Sequence, residues 1–299
     1  MEVRKLELVY TATRQGRLSS FLREEMGMSA GLMNRLKWQN AIFVNGTPQH
    51  TDFPVNPGDI ITVPLDEPAP EYPAEDGDLA VIYEDAHLLA VDKPAGMLVH
   101  PSRARNTGTL ANLVVGYYQK TEQRSAFHPL TRLDRDTYGL VLLAKNTHVH
   151  ALLNALHDAG QVRKTYHALV CGAPPEDHGT INAPIARKPL PSLLREIRED
   201  GKPSVTEYTV LTRFDGLTKL ALRPITGRTH QLRLHCAHIG CPILGDPQYY
   251  SPASQAFSEK MGLTTQILCA KTLELPHPVT GEPLILHSHQ DAAFPDNLV

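Results

Sequence analysis

Cysteine is scarce in this chain of 299 residues, which holds only four. No two of them form a C-x-x-C pair, and this absence argues against a disulfide framework and against a zinc ribbon. Long apolar runs are also missing. None approaches the roughly 18 residues that span a bilayer, and the N-terminal residues carry charges where a secretory segment would be apolar. We therefore expect a soluble protein of the reducing cytoplasm, with no membrane partner.

Signature motifs of several enzyme classes are absent as well. The sequence has no G-x-G-x-x-G, P-loop, H-E-x-x-H or G-x-S-x-G motif, so nucleotide-cofactor enzymes, kinases and serine hydrolases lose their best support. A histidine and cysteine cluster between His230 and Cys241 could bind zinc. On a helix, however, Cys236 would point about 100° away from His235, and no second ligand pair follows at a recognised spacing. A zinc-dependent hydrolase centred on His235 and Cys241 is a distant alternative, and we expect no metal and no cofactor.

The net charge of −3 gives no sign of a polyanionic partner, but the charge is unevenly distributed. Residues 66–78 contain six acidic residues, three prolines and no basic residue, whereas the regions on either side are slightly basic. Repelling acids and prolines favour an extended, solvated linker. We therefore expect a small domain at 1–65, an acidic linker at 66–78 and a large domain at 79–299, and a local basic surface remains compatible with the net charge.

The first 65 residues predict a small α+β domain. Apolar residues at helical spacing between Leu18 and Leu36 indicate two short helices, and the segments AIFVNGTPQ and GDIITV indicate strands, with Asn45-Gly46 as a turn dipeptide. Basic residues cluster in and around the helices, beside Trp38: Arg14, Arg17, Arg23, Arg35 and Lys37. From charge alone, they form either a solvated helix face or a surface for a phosphate backbone.

The large region predicts an α+β fold with a mainly antiparallel mixed β-sheet. Apolar strand patterns outnumber helical ones and often follow one another directly, which is not the alternation of a βαβ fold. Helical patterns are expected at roughly 108–119, 147–158 and 229–239.

A dense group of charges precedes the apolar strand GLVLLAKN at 139–146. Two carboxylates and two guanidiniums lie within residues 132–136, and burying them together would be costly, so they must cap, pair or face a cleft. From the local pattern alone, Asp134 is either a turn-capping residue or a catalytic carboxylate. A second charged segment, at 226–233, could supply a guanidinium that keeps such a carboxylate ionised.

The segment TRLDRDTYGL at 131–140 resembles the H-R-L-D-R/K-x-T-S-G-L motif of RNA pseudouridine synthases of the RluA/RluD family. Four other blocks agree with the family in the same order: DKPAGMLVHP (92–101), RKTYHALVCG (163–172), TGRTHQLRLHCAHIGCPILGDPQYY (226–250) and LPHPVTGEPLILHS (275–288). Two residues depart from the motif, because Thr131 replaces a histidine and Tyr138 a serine. The run from Arg17 to Val63 is similar to the alpha-L RNA-binding domain first described in a ribosomal protein.

The resemblance implies an isomerase that converts specific uridines of structured RNA to pseudouridine without a cofactor. It assigns the catalytic carboxylate to Asp134, the basic residue that pairs with it to Arg228, and the tyrosine that stacks on the uracil to Tyr166. Arg132 is expected to enter the space left by the flipped uridine. The other expected RNA contacts are Arg135, Lys145 and Arg233 in the large domain, and Arg17, Arg35 and Lys37 in the small one.

The resemblance also sets the expected partner. Ribosomal RNA is the favoured substrate and transfer RNA the alternative, and we expect the protein to be a monomer. A non-catalytic RNA-binding or ribosome-assembly factor of the same fold stays open, supported only by the departures at Thr131 and Tyr138.

Overall fold

The computed structural model describes residues 6–65, 67, 72–102, 105–189, 192 and 194–292. The elements of the N-terminal part are β1 (Glu7–Thr11), β2 (Gly16–Arg17), α1 (Leu18–Ser20), a π-helical turn (Phe21–Glu25), α2 (Ala30–Trp38), β3 (Phe43–Val44), β4 (Thr47–Pro48), β5 (Pro54–Val55) and β6 (Ile60–Pro64). An antiparallel sheet has the order β1-β6-β3-β4, and β2 pairs with β5.

Residues 6–65 have a hydrophobic core of their own. The apolar positions that predicted the helices are buried in it, among them Leu18, Phe21 and Leu36. The predicted Asn45-Gly46 turn is confirmed: both residues have positive φ, 50° and 75°, and they join β3 to β4. Positive φ at both central residues is what a two-residue type I′ hairpin requires.

The larger part is built on one ten-stranded sheet. Its strands are β7 (Ala80–Glu84), β8 (Leu88–Lys93), β9 (His128–Pro129), β10 (Tyr138–Ala144), β11 (Arg163–Cys171), β12 (His178–Asn182), β15 (Val205–Phe214), β16 (Leu217–Pro224), β17 (Leu268–Pro276) and β18 (Pro283–His287); β13 (Ile185–Arg187) and β14 (Arg195–Ile197) form a separate hairpin. The order is β12-β15-β16-β11-β17-β10-β8-β7, with β18 on β17 and β9 on β10. Within the described strands of this sheet, only β10 and β17 pair in parallel. The predicted α+β class with a mainly antiparallel mixed sheet is confirmed.

Four helices accompany this sheet in the described residues: α3 (Leu110–Lys120), α4 (Thr147–Asp158), α5 (Gln231–His238) and α6 (Pro252–Lys260). The first three match the predicted helical segments, and α6 was not predicted. Local capping explains where several begin, because the Asn146 side chain accepts the Val149 N–H at α4 and Ser251 forms a capping box with Ser254 at α6. In the described part of the chain, no helix is both long and apolar enough to cross a membrane.

The acidic connector differs from the solvated linker that the sequence predicted. Residues 66 and 68–71 lie outside the described residues, but part of 72–78 packs on α3. The Tyr72 ring meets Phe127 edge-on with centroids 6.1 Å apart, and the Glu75 carboxylate accepts the Gly108 N–H at 2.8 Å. A Cβ on Gly116 would lie 2.0 Å from the Glu75 carbonyl oxygen, so only glycine admits this approach. An aromatic ring and specific hydrogen bonds therefore fix a segment whose composition indicates solvation.

Candidate active site

The loop that carries Asp134 joins the end of β9 to the start of β10. β9 pairs with the last residues of β10, and the Leu130 N–H donates to the Leu142 carbonyl at 2.9 Å, so the loop runs back along β10 to its start. Leu133 is buried in the core, and the hydroxyl oxygen of buried Thr137 accepts a hydrogen bond from Gln266 at 3.0 Å. Because its neighbours on both sides are anchored, the loop presents Asp134 in a defined position.

A fully buried lysine supports the same loop. The Lys93 ammonium donates to three backbone carbonyls, those of Pro94 (2.9 Å), Met97 (2.8 Å) and Arg135 (2.9 Å), so all its hydrogens have acceptors. Burial lowers the pKa of Lys93 to about 8, against the opposing effect of the carboxylates of Asp136 and Asp134. Lys93 is therefore a positioning residue for the backbone that follows Asp134.

The lowered pKa of Lys93 predicts a pH-dependent stability. An unfolded chain holds the Lys93 proton up to about pH 10.5, whereas the folded chain releases it near pH 8, so the unfolded state binds more protons between these values and stability rises with pH. Relative to Lys93→Met, which cannot titrate, the wild type should gain about 3 kcal/mol of unfolding free energy between pH 8 and pH 10.5. Urea unfolding of both proteins between pH 8 and pH 10.5 measures how the difference between their unfolding free energies changes with pH. A constant difference would mean that the three carbonyls hold the ammonium against the effect of burial.

Arg233 is the guanidinium that faces Asp134. It extends from the first turn of α5, its side chain is 5% exposed, and its Nη1 lies 3.4 Å from Asp134 Oδ2. The fully buried Asp246 carboxylate holds the same guanidinium in a bidentate pair at 2.7 Å for both bonds, and Gln248 accepts a further bond at 3.0 Å. Burial alone would lower the pKa of Arg233, but Asp246 and Asp134 outweigh it and the pKa is raised. A fixed positive charge therefore faces the Asp134 carboxylate.

A histidine approaches Asp134 from the residue before α5. His230 Nε2 lies 3.9 Å from Asp134 Oδ2, and its Nδ1 lies 2.9 Å from the Tyr249 hydroxyl. That hydroxyl oxygen also accepts the Arg195 N–H at 3.0 Å, and donation of its own proton to Nδ1 would place the imidazole N–H on Nε2, the nitrogen nearer Asp134. Burial lowers the pKa of His230, which keeps the imidazole in this neutral form at neutral pH. His230 adopts a left-handed backbone with φ 58°, an uncommon conformation for a non-glycine residue and one concentrated at functional sites.

Tyr166 stands beside the carboxylate, on β11. Burial raises the pKa of its phenol, and the negative charge of Asp134 raises it further, so the phenol is neutral at neutral pH. A small cleft adjoins the ring and is lined in part by Thr131 and Lys164. The structure therefore brings together Asp134 and Tyr166, as the sequence predicted.

The predicted pairing of Asp134 with Arg228 is wrong. The Arg228 side chain is exposed, and its Nε donates to the Pro203 carbonyl at 3.3 Å. Arg228 lies in the turn before α5, whereas Arg233 lies on the helix face turned toward Asp134. Arg233 was predicted as an RNA contact, and its burial contradicts that role as well.

The other basic residues predicted to contact RNA fall into two groups. Lys145 is buried at the opposite end of β10 and pairs with Glu84 at 2.7 Å, so its predicted RNA contact is wrong. Arg135 is mostly exposed although it pairs with Asp136 at 2.8 Å. Arg132 is exposed, and no hydrogen bond or ion pair engages it within the described residues. The predicted RNA contacts of the N-terminal part are exposed: Arg17, Arg35 and Lys37.

The two departures from the family motif lie in different places. Thr131 lines the cleft beside Tyr166, so a smaller side chain there changes the shape of the site. Tyr138 packs with Cys269 on the opposite face of the sheet, and its hydroxyl donates to the Asp291 carbonyl at 3.2 Å. Tyr138 therefore supports the C-terminal segment and does not alter the site.

The histidines and cysteines that suggested zinc have other contacts. His235 is buried, with Nδ1 2.9 Å from the Thr206 hydroxyl and Nε2 3.0 Å from the Ala183 carbonyl. Cys236 and Cys241 are buried free thiols, and burial raises the pKa of both. Across the described ranges, no three histidine, cysteine or acidic side chains converge as ligands.

Comparison with known proteins identifies the family. Residues 87–238, which include Asp134, Tyr166 and Arg233, match the family described as RNA pseudouridylate synthase. The chain is 33% identical to the uncharacterized RNA pseudouridine synthase YjbO of Bacillus subtilis (strain 168), over 88% of this chain and 92% of that protein. It is 38% identical to ribosomal large subunit pseudouridine synthase D of Pseudomonas aeruginosa, over 71% of this chain and 68% of the relative. The solved structure of human RNA pseudouridylate synthase domain containing 4 superposes with a TM-score of 0.58 at 26% identity, covering 70% of this chain and 87% of the human one. This chain therefore belongs to the RluA/RluD-like RNA pseudouridine synthases, as its sequence motifs predicted.

Proposed function

We propose that this RNA pseudouridine synthase modifies uridines of large-subunit ribosomal RNA, with Asp134 as its catalytic carboxylate and without a cofactor. The observation that carries the catalytic assignment is the Asp134 carboxylate itself, partly exposed and facing the buried Arg233 guanidinium. The substrate class rests on relatives named ribosomal large subunit pseudouridine synthase D, such as that of Xanthomonas campestris, which is 39% identical over 70% of this chain.

The reaction balances without an added reactant. The bond between N1 of uracil and C1′ of the ribose breaks, and a bond forms between C5 and the same C1′. C5 loses a proton and N1 gains one, so uridine and pseudouridine are isomers and no electrons are exchanged. An ionised carboxylate suits this chemistry because it can attack C1′, stabilise the positive charge that develops on the sugar, or remove a sugar proton. Before reaction, the Arg233 guanidinium lies 3.4 Å from the Asp134 carboxylate, and His230 Nε2 lies 3.9 Å from it.

Tyr166 and Arg132 are proposed to handle the nucleotide. The neutral Tyr166 phenol offers a flat face to the uracil, and its raised pKa suits stacking better than action as a phenolate base in the resting enzyme. Arg132 is exposed two residues before Asp134, where it can enter the space vacated by a flipped uridine. Arg135 stands next to them and is placed to meet a phosphate.

The N-terminal part is proposed to be a separate RNA-binding domain at 1–65, joined by residues 66–78 to a catalytic domain at 79–299. Its own sheet and core support this division. Exposed Arg17, Arg35 and Lys37 supply positive charge for the sugar–phosphate backbone. We expect a monomer that holds RNA with one domain and modifies it with the other.

Mapping of pseudouridine in cellular RNA tests the substrate assignment. Cells that lack this protein should lose pseudouridine at a small number of large-subunit ribosomal RNA positions, because a shaped site accepts few structured uridines. The wild-type gene should restore them, and the Asp134→Asn gene, expressed to the same level, should not. Loss confined to transfer RNA would refute the proposed substrate while leaving the enzyme class intact.

A further inference from the structure

Trp38 is the single tryptophan of this chain, and it lies almost entirely in solvent. It is the last residue of α2 and is 87% exposed, whereas Leu36 and Met33 on the same helix are 2% and 7% exposed. Tryptophan is usually largely buried in folded proteins because its ring has so much apolar surface. The core of the N-terminal part forms without this ring.

The helix geometry places Trp38 in the middle of the outward face of α2. At about 100° per residue, Asn34 and Arg35 lie 40° to 60° from it around the helix axis, and Gly31 lies within about 20°. Open space surrounds Gly31, since a Cβ built there would meet no atom within 4 Å. Trp38, Asn34 and Gly31 therefore lie along one exposed side of α2, and Arg35 lies beside this line.

The charge around this ring has one sign. The sequence contains no acidic residue from Met26 to Thr51, and Lys37 and Arg35 flank the indole. The nearest preceding acids, Glu24 and Glu25, are both paired with Arg14, at 2.9 and 3.3 Å. For Arg35 and Lys37, no ion pair is found with any residue that the structure describes. A flat apolar ring between two uncompensated cations fits a ligand that is both flat and polyanionic.

We propose that Trp38 is a stacking platform for an unpaired base of the RNA substrate, and that Arg35 and Lys37 contact the phosphates on either side of that base. This inference rests on the proposed RNA-binding role of the N-terminal domain and adds its binding determinant. Single-stranded RNA is the occupant that the charges favour, because a base stacks on an aromatic face whatever its identity while lysine and arginine neutralise its phosphates.

Tryptophan fluorescence of the full-length enzyme tests the stacking directly, since Trp38 is the only emitter when excitation is confined to tryptophan. A single-stranded uridine-rich oligoribonucleotide should quench the emission, and the quenching should saturate with the dissociation constant obtained from the anisotropy of a labelled copy of the same RNA. RNA that saturates the protein without changing its emission would overturn the proposal.

Variants of the full-length enzyme give a second readout. Trp38→Ala should weaken RNA binding and raise KM by about 5- to 150-fold, with kcat unchanged, whereas Trp38→Phe should retain most of the affinity. Phe214→Ala is the matched control, because Phe214 is also a partly exposed aromatic, at 41%, and should leave binding unchanged. If Trp38→Ala keeps the wild-type RNA affinity and KM, the proposal is overturned. That result is the one expected if this surface binds a protein and not RNA. The proposed function is tested separately by the isomerisation itself. If Trp38→Ala still forms pseudouridine, the proposed function stands whatever its affinity for RNA. If the wild-type enzyme forms no pseudouridine, the proposed function is refuted.

Discussion

Replacing Asp134 by asparagine is expected to lower the rate of pseudouridine formation by about three orders of magnitude or more while leaving RNA affinity within a few-fold of the wild type. Asparagine fills the same space but has no negative charge with which to attack C1′ or stabilise the opening sugar. Arg233 still has the buried Asp246 carboxylate, so the surrounding structure should persist. Chromatography of nucleosides from digested RNA measures the product, and filter binding measures affinity.

Asp136 supplies the matched control for this variant. Its carboxylate lies in the same loop, two residues away, but it pairs with Arg135 and is 10% exposed. Asp136→Asn should therefore retain activity within about tenfold and show a loss of stability, because the ion pair with the largely exposed Arg135 and the charge that favours the buried Lys93 ammonium are both removed. Equal activity losses in the two variants would show that damage to the loop, and not loss of a catalytic group, explains the effect at Asp134.

Replacing Arg233 by alanine is expected to damage both stability and activity. The substitution leaves the Asp246 carboxylate fully buried without its bidentate partner, and Asp134 without the cation that faces it. Breaking a buried ion pair in this way costs about 3–5 kcal/mol of unfolding free energy. Urea unfolding measures the loss, and residual isomerisation assayed well below the unfolding transition should fall by about 100-fold or more.

Arg228→Ala is the matched control, because the family resemblance assigned this arginine the role that the structure gives to Arg233. Arg228 is exposed, and its Nε donates a hydrogen bond to the Pro203 carbonyl at 3.3 Å. Its removal should change stability by no more than about 0.5 kcal/mol. Arg233→Lys should fall between the two, since lysine keeps the charge but cannot form the bidentate pair with Asp246. Loss of activity in Arg228→Ala with a mild effect of Arg233→Ala would contradict the site geometry.

The contrast between Arg228 and Arg233 shows where sequence reasoning succeeds and fails. The sequence shows that both arginines lie in the charged segment at 226–233, which could supply a guanidinium to Asp134, but it does not fix which one faces the carboxylate. That choice depends on where α5 begins, and the left-handed backbone at His230 decides it. Asp246 was missed as well, although it lies in the block GDPQYY, because bidentate pairing across 13 residues of sequence has no local signature.

The helices and Lys145 also show which features the sequence predicts and which it misses. Periodicity predicted α3 and α4 because each has an apolar stripe. The prediction of α5 also holds, although this helix is buried on all sides, polar residues included. The helix α6 was missed because PASQAFSEK is mostly small and polar. Its start could have been read from Ser251 and Pro252, which are typical of an N-cap and a first helical residue. The same limit applies to Lys145, which was predicted to contact RNA but pairs with Glu84, 61 residues earlier in the sequence.

The most direct test of the catalytic role of Asp134 is a single-turnover assay of tritium release from RNA labelled at C5 of uridine, with enzyme in excess over RNA. Excess enzyme keeps all the RNA bound, so the rate reports the chemical steps and not association. The account predicts one tritium released for each uridine modified by the wild type, and no release above background from the RNA bound by Asp134→Asn. Release by that variant at the wild-type rate would contradict it.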